Sequence, residues 1–382
     1  MTDSTLVIGY FGFGNAGDDA IGLATVRQLA KRFTPGQVIV TTGPESVFGD
    51  GNVRTIAYSA GSIFRSTTKV DRVVMTGGTH FHTQGNSYDR VKVFSFYLLA
   101  ILWAKLWRTE VDLLAHGVGP IDGRFYKIIT ALVMMLVDNV SVRDRHSLEV
   151  VESLPGPPEI SPVLGFDVAP LLDRVIREND PRSKSSSGES SADLTIGVSL
   201  TPAYEKYYDD PKKDDEIVTA VADAIHRVAH GDRNVERVVV FVLHTGEFND
   251  DVSMSRTLLS ELDEVNTELR LYRNDPESFI RSMNEVDRVI GMKYHSLVFA
   301  FIQAVPTLAL SYHPKCQWFH EYVGYSSDAT VSMHDAVSSG IQSEVEDLVL
   351  AAESYEPSMS LDEAGSLARQ SFEVIPEERS SQ

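Results

Sequence analysis

Short apolar runs alternate with longer segments of helical period along nearly the whole chain. Leu6–Tyr10 reads as a buried strand, and an amphipathic helix follows its glycine-rich turn to about Phe33. The same grammar predicts strands at Gln37–Thr42, Val53–Tyr58, Asp71–Thr76, Val111–His116 and Asn139–Asp144. Helices are expected at about Tyr88–Trp107, Tyr126–Val137 and Arg145–Leu154. At 177–193 the pattern stops: this Ser-rich, polar stretch cannot build a core and reads as a flexible linker. Leu194–Leu200 then opens a second series, with strands at Arg237–Leu243, about Leu269–Tyr272, Asp287–Ile290 and Pro306–Leu310, and a helix over Asp214–His230. Leu361–Phe372 reads as a last helix before a polar tail. Strands alternating with helices at this spacing predict an α/β fold of parallel βαβ units in doubly wound sheets.

The expected organisation is therefore an N-terminal Rossmann-like domain over 1–176, the linker 177–193, a C-terminal Rossmann-like domain over 194–345, and a C-terminal helix with its tail over 346–382. Val93–Trp107 is strongly apolar, yet it contains Ser95 and Lys105 and falls short of the roughly 20 residues of a spanning helix. It reads as a buried helix, and Ile128–Val137 reads the same way. Residues 1–5 carry an acid and no basic segment, and Leu6–Tyr10 is too short for the apolar core of a secretory signal. The expected location is the cytoplasm.

Charge narrows the choice of partners. The chain has 34 basic and 54 acidic residues, a net charge of −20, and only 11 of its basic residues are lysine. So large an acidic excess argues against nucleic acid as a partner and repels anionic membrane surfaces. It also keeps a protein soluble where salt screens repulsion, so the expectation is a salt-adapted, halophilic protein. The single cysteine, Cys316, excludes an intramolecular disulfide framework and a Cys-based zinc site.

The candidate chemistry sits at strand ends. Gly291-Met-Lys-Tyr-His-Ser296 follows a strand and opens a helix, which places Lys293 and His295 beside N–H groups that favour an anion. Fifteen residues on, a strand ends in Ser311-Tyr-His-Pro-Lys315, so Lys293, His295 and Lys315 are expected at one edge of the sheet. Arg143 ends the strand before it in the N-terminal domain. Gly77-Gly78 follow another strand and let backbone approach a ligand. The run Gly12-Phe-Gly-Asn-Ala-Gly17 matches a dinucleotide-binding fingerprint, but the next strand ends in Thr41-Thr42 with no acid to hold a ribose. Asn15 and Asp18 in that turn suit a hydroxyl-rich ligand better than a pyrophosphate. His80 and His82 are two apart, a spacing that suits acceptor contacts or loop histidines more than metal ligation; no metal is implied.

Six segments in order, each at a strand end, carry a family resemblance: Gly12–Asp19, Gly77-Gly78, Gly117-Val-Gly-Pro120, Ser141-Val-Arg-Asp144, Gly291–Ser296 and Ser311–Lys315. Over about residues 5–325 the chain resembles the polysaccharide pyruvyl transferase family. It departs from the family pattern at Thr79, where a third glycine is usual, at His116 for a common Gln, at Lys293 for a common Arg, and at His313, where an acid is frequent. The resemblance implies two Rossmann-like doubly wound domains facing a cleft, a GT-B-like arrangement. It implies phosphoenolpyruvate as donor and co-substrate, with no further cofactor. The acceptor would be a sugar of a cell-surface polysaccharide or of a lipid-linked precursor, and the product a pyruvate ketal. Peripheral contact with the inner face of the membrane would come through the acceptor lipid.

On this resemblance Arg143, His295 and Lys315 match donor-site residues. The residue types suit the chemistry: an Arg fork and a Lys point charge hold the phosphate and carboxylate, and an imidazole moves protons near neutrality. His295 is assigned the catalytic proton transfer, with Arg143, Lys315 and Lys293 on the donor and Asn15, Asp18, Gly77 and Gly78 on the acceptor side. Two alternatives use the same architecture: a GT-B-like glycosyltransferase taking a nucleotide sugar, and a non-catalytic glycan- or anion-binding relative.

Overall fold

Two all-parallel sheets organise the chain. The computed structural model describes residues 4–34, 36–49, 53–84, 87–156, 161–172, 194–230, 235–246 and 251–375, so the segment 177–193 read as a linker lies outside the described residues. One compact unit comprises 1–13, 18–171 and 362–382; the other comprises 14–17 and 172–361.

The strands of the first unit are β1 (Thr5–Ile8), β2 (Val38–Thr42), β3 (Arg54–Ala57), β4 (Arg72–Thr76), β5 (Thr79–Phe81), β6 (Glu110–Val118), β7 (Asn139–Val142) and β8 (Val163–Leu164). Among the described residues their order is β3-β2-β1-β4-β6-β7-β8, with the short β5 on β6. The second unit holds β9 (Leu194–Ser199), β10 (Val235–Val242), β11 (Thr267–Leu271), β12 (Arg288–Gly291), β13 (Thr307–Ser311) and β14 (Thr330–Ser332), ordered β11-β10-β9-β12-β13-β14. Each sheet starts at its third strand, runs inward to its first and reverses there. That is the doubly wound Rossmann order, and it opens a crevice beyond the strand ends beside β1 and β9. Central strands such as Leu6-Val-Ile8 and Ile196–Val198 are buried, as a parallel sheet covered on both faces requires.

In the first unit the helices are α1 (Ala16–Ala30, whose first two residues belong to the second unit), α2 (Ala60–Thr67), α3 (Ser87–Leu106), α4 (Arg124–Leu136) and α5 (Arg145–Glu152). Helix α3 corrects an expectation. It is half-buried rather than enclosed: Phe94, Tyr97, Ile101 and Ala104 enter the core, while Leu99, Leu102 and Leu106 are exposed. Helix α4 behaves likewise, with Val133 and Met134 buried and Leu132 and Met135 exposed.

The helices of the second unit begin with α6 (Ala203–Tyr208), α7 (Pro211–Ala229), α8 (Asp251–Glu261) and α9 (Pro276–Ser282). They continue with α10 (Tyr294–Ile302), α11 (Pro314–Val323), α12 (Met333–Ser339) and α13 (Gln342–Leu350). The last helix, α14 (Leu361–Gln370), returns the chain to the first unit, and the turn after it docks there. Arg32 Nη1 donates to the carbonyls of Phe372 (2.7 Å) and Ile375 (3.1 Å), and its guanidinium lies 5.9 Å from the centroid of the buried Phe372 ring.

This docking yields a stability prediction. Phe372→Ala removes a fully buried aromatic ring and should destabilise the first unit by about 3–5 kcal/mol. Urea unfolding followed by amide exchange on β7, which the 371–374 turn contacts, measures it.

Candidate functional site

In the second unit the site begins with neighbouring parallel strands. β12 and β13 run in register, Gly291 opposite Ala309, and each leads into a helix. Lys293 takes the N-cap position of α10, and His313 that of α11, where its Nδ1 accepts the Lys315 N–H at 3.1 Å. Two helix starts, each with positive dipole character, thus lie side by side at the carboxyl edge of the sheet. His295 and Lys315 are in the first turns of these helices. The Lys315 ammonium stands 5.2 Å from the Tyr312 ring centroid and 5.9 Å from that of Tyr294. Tyr294 in turn meets the His295 ring edge-on at 5.0 Å. Aromatic faces attract the ammonium and limit where it can point.

Lys293 is directed elsewhere. Its ammonium pairs with the carboxylate of Asp251, which is fully buried. The same carboxylate accepts the Thr201 hydroxyl at 2.6 Å and the His244 N–H at 3.1 Å. Thr201, His244 and Lys293 follow β9, β10 and β12, so one side chain ties three adjacent strand ends.

The glycine-rich turn supplies the other wall of this unit. Thr245 N donates to Gly14 O at 3.0 Å and Ala16 N to Leu243 O at 2.9 Å, closing an antiparallel bridge between Asn15 and His244. Asn15 Oδ1 accepts the Gly17 N–H at 3.1 Å and so caps α1. Gly17 must be glycine: a Cβ there would lie 1.9 Å from His295 Nδ1.

In the first unit the chemistry surrounds the ends of β4, β6 and β7. Gly77 and Gly78 have φ of +78° and +71°. Beyond them a partly buried ladder runs from the Tyr97 hydroxyl to His80 Nε2 (3.0 Å) and from His80 Nδ1 to His116 Nε2 (3.1 Å). Burial, reinforced by the charge of Arg143, pushes His116 down to about 3. Burial, with His116, His82 and Arg143 nearby, holds His80 well below the ordinary imidazole range. Both rings are neutral at pH 7. The buried Arg143 guanidinium donates to Thr79 Oγ1 at 2.8 Å and lies against Gly117, where a Cβ would be 2.9 Å from Cζ. Thr79, a departure from the family pattern, is thus a partner of the arginine.

Asp18 lies among aromatic groups. Tyr10 and Phe13 stack at 4.2 Å, and Tyr58 meets both edge-on. Burial first, then Tyr10 and Asp18, push Tyr58 up to about 12, so it offers a neutral hydroxyl beside a carboxylate. The neighbouring Asp19 is structural: it is buried and accepts the Gly12 N–H at 2.6 Å.

Of the residues singled out in the sequence, His295, Lys293, Lys315 and Asn15 fall in the second unit, and Arg143, Asp18, Gly77 and Gly78 in the first. Asp251 and His244 were not read from the sequence; His80 and His116 were marked singly, but not their ladder with Tyr97, and His80 lies in strand β5 rather than in a loop. His244 stands one residue beyond a correctly placed strand, and the strand-end rule would have found it. Asp251 opens a helix and has no distinguishing local pattern.

A sequence model described as polysaccharide pyruvyl transferase matches residues 15–314. No curated protein matches the chain. Solved structures share its fold at low identity. The UDP-GlcNAc 2-epimerase of Neisseria meningitidis, bound to UDP-GlcNAc, is 13% identical with a TM-score of 0.57, over 98% of this chain and 99% of that one. The UDP-GlcNAc 2-epimerase of Methanocaldococcus jannaschii is 12% identical with a TM-score of 0.57, over 97% and 99%. MnaA of S. aureus, in complex with UDP, is 13% identical with a TM-score of 0.59, over 97% and 94%. The fold is therefore the GT-B-like pair of Rossmann-like domains.

Two predictions follow from this geometry. Asp251→Ala leaves the Lys293 ammonium without its buried partner and should cost about 3–5 kcal/mol, read by urea unfolding. The second concerns pH. An unfolded histidine titrates near 6.5, whereas folded His116 titrates near 3, so the unfolded state binds the proton first as pH falls. Stability is full above about pH 6.5 and is lost progressively toward pH 3, by up to about 1.4 kcal/mol per pH unit for this group. Urea midpoints between pH 7 and 4 should show the slope, and His116→Gln should reduce it.

Proposed function

The chain belongs to the polysaccharide pyruvyl transferase family, and from that premise we propose that it transfers the pyruvate unit of phosphoenolpyruvate to a sugar of a surface polysaccharide or its lipid-linked precursor. The observation that carries this reading is the pairing of a cation and an imidazole at adjacent helix starts in the second unit. Lys315 and the helix N-termini suit a phosphate or carboxylate, and His295 suits a proton moved beside it.

The reaction balances without a redox step. A proton adds to the methylene carbon of the donor while a sugar hydroxyl adds to the neighbouring carbon. The C–O bond to phosphate breaks, and a second hydroxyl of the same sugar closes the ketal. One hydroxyl proton replaces that delivered to the methylene carbon, and the other leaves with phosphate. His295 delivers the first proton and takes up a hydroxyl proton. Gly17 leaves room for its ring, and Tyr294 and Phe299 flank it. In the first unit the Asp18 carboxylate and the Tyr10 and Tyr58 hydroxyls suit the hydroxyl groups and apolar face of a sugar, and Gly77-Gly78 bring backbone close. Arg143 is assigned to the donor on family resemblance.

The proposal is tested by donor binding and turnover. Phosphoenolpyruvate should raise the melting temperature and UDP-sugars should not; the reverse result would favour a nucleotide-sugar enzyme. Lys315→Ala and Arg143→Ala should each weaken the donor about ten- to a hundredfold. His295→Ala should lower kcat by about 10²–10⁴-fold with donor affinity kept. Gly17→Ala, which drives a methyl group into the ring, should lower kcat in the same direction. If saturating phosphoenolpyruvate restores His295→Ala to full turnover, His295 binds the donor and does not carry the proton.

A further inference from the structure

Nine of the eleven large hydrophobic side chains exposed among the described residues lie between Val91 and Met135. Eight stand on α3 and α4 and the ninth, Trp107, follows α3; the inner faces of the two helices share one core and meet through Phe94 and Tyr126 at 5.4 Å. Leu99, Leu102 and Leu106 follow helical spacing on α3, and Phe125, Ile128 and Leu132 do so on α4. Leu106 is 72% exposed and Phe125 67%. Single exposed apolar residues are common on soluble proteins, but a stripe across two neighbouring helices marks a surface that meets something.

Charge identifies what it meets. In a chain of net charge −20, the sequence of α3 and α4 carries five basic residues, Arg90, Lys92, Lys105, Arg124 and Lys127, against one acid, Asp89. Lys105 pairs with Asp138 just beyond α4; Lys92, Arg124 and Lys127 are exposed beside the apolar stripe. Trp107, 53% exposed at the end of α3, adds an indole of the kind that settles at the boundary between headgroups and acyl chains. Neither helix is long and apolar enough to cross a bilayer. An apolar face flanked by cations, lying along helix sides, fits a surface of anionic lipid.

We propose that the α3–α4 face docks on an anionic bilayer, with its leucines and Phe125 in the interfacial layer and Arg124 and Lys127 among the headgroups. A second copy of the chain fits less well, because a twofold contact through this face would bring like cations together. The acidic remainder of the surface is repelled by the same bilayer, which selects this orientation over others. The net charge that argued against membrane contact thus leaves one face free for it. A lipid-linked acceptor, which rests on the proposed function, would give the docking its use; the docking itself is read without turnover.

The test uses the full chain and vesicles of phosphatidylcholine with or without phosphatidylglycerol. The protein should co-sediment with the phosphatidylglycerol vesicles and bind the neutral ones weakly, with tryptophan emission quenched by brominated lipid. Trp107→Phe should lose most of that quenching. Leu102→Ser with Leu132→Ser, and separately Arg124→Glu with Lys127→Glu, should each reduce binding about tenfold or more with the melting temperature kept. Transfer to a soluble sugar acceptor should survive in both, which separates failed docking from failed catalysis. The proposal is overturned if the wild type does not bind phosphatidylglycerol vesicles, if the folded variants bind as well as it does, or if light scattering shows a dimer that these variants dissociate.

Discussion

The fully buried Asp251 carboxylate holds the second unit's site together. It lies where the sheet order reverses, and it joins the ends of β9, β10 and β12 through Thr201, His244 and Lys293. Taking a carboxylate and an ammonium out of water costs several kcal/mol for each ion, so such a pair persists only where further hydrogen bonds complete it. The Thr201 hydroxyl and the His244 N–H do so here. The pair fixes Lys293, Lys293 is the N-cap of α10, and the second helical residue of α10 is His295. The position of the imidazole is thus set by the contact of its neighbour Lys293 with a carboxylate 42 residues earlier in the chain. Lys293 holds this loop through its ion pair, whereas Lys315, over the faces of two tyrosines, is the cation proposed to meet an incoming anion.

Much of this was legible in the sequence because parallel strands buried on both faces leave long apolar runs, and because helix starts after such runs have few alternatives. The central strands of both units and the strand-end positions of Arg143, Lys293, His295 and Lys315 follow from that grammar. Strands β5, β8 and β14 do not, since two or three residues carry no period. The exposure of α3 was also hidden. Its composition is that of a buried helix, and only the packing shows that, among the described residues, Leu99, Leu102 and Leu106 on one side stay exposed. The ladder from Tyr97 to His116 spans three elements and depends on register, which local pattern does not encode.

Charge acts on two length scales. At about 0.1 M salt, fields from exposed groups fade over about 10 Å, so the distant acidic surface is screened while contacts at an anion site are not. A net charge of −20 is therefore compatible with the proposed binding of an anion at Lys315 and the helix starts. It is equally compatible with a cationic, apolar face on α3 and α4, because local composition, not the total, governs what happens within a Debye length.

The glycine-rich turn shows most clearly why a shared fold does not transfer its ligands. In a dinucleotide-binding unit the glycines open the first helix so that its N–H groups meet a pyrophosphate. Here those donors are engaged: Ala16 N–H by the Leu243 carbonyl and Gly17 N–H by Asn15 Oδ1. The glycines serve close packing instead, Gly12 against Thr42 Oγ1 in one unit and Gly17 against the His295 ring in the other. The two acids of the first turn, Asp18 and Asp19, add charge that would repel phosphate. The same spacing of glycines here seats an imidazole rather than an anion, and the proposed donor's charge is assigned instead to Lys315 with the start of α11, and to Arg143.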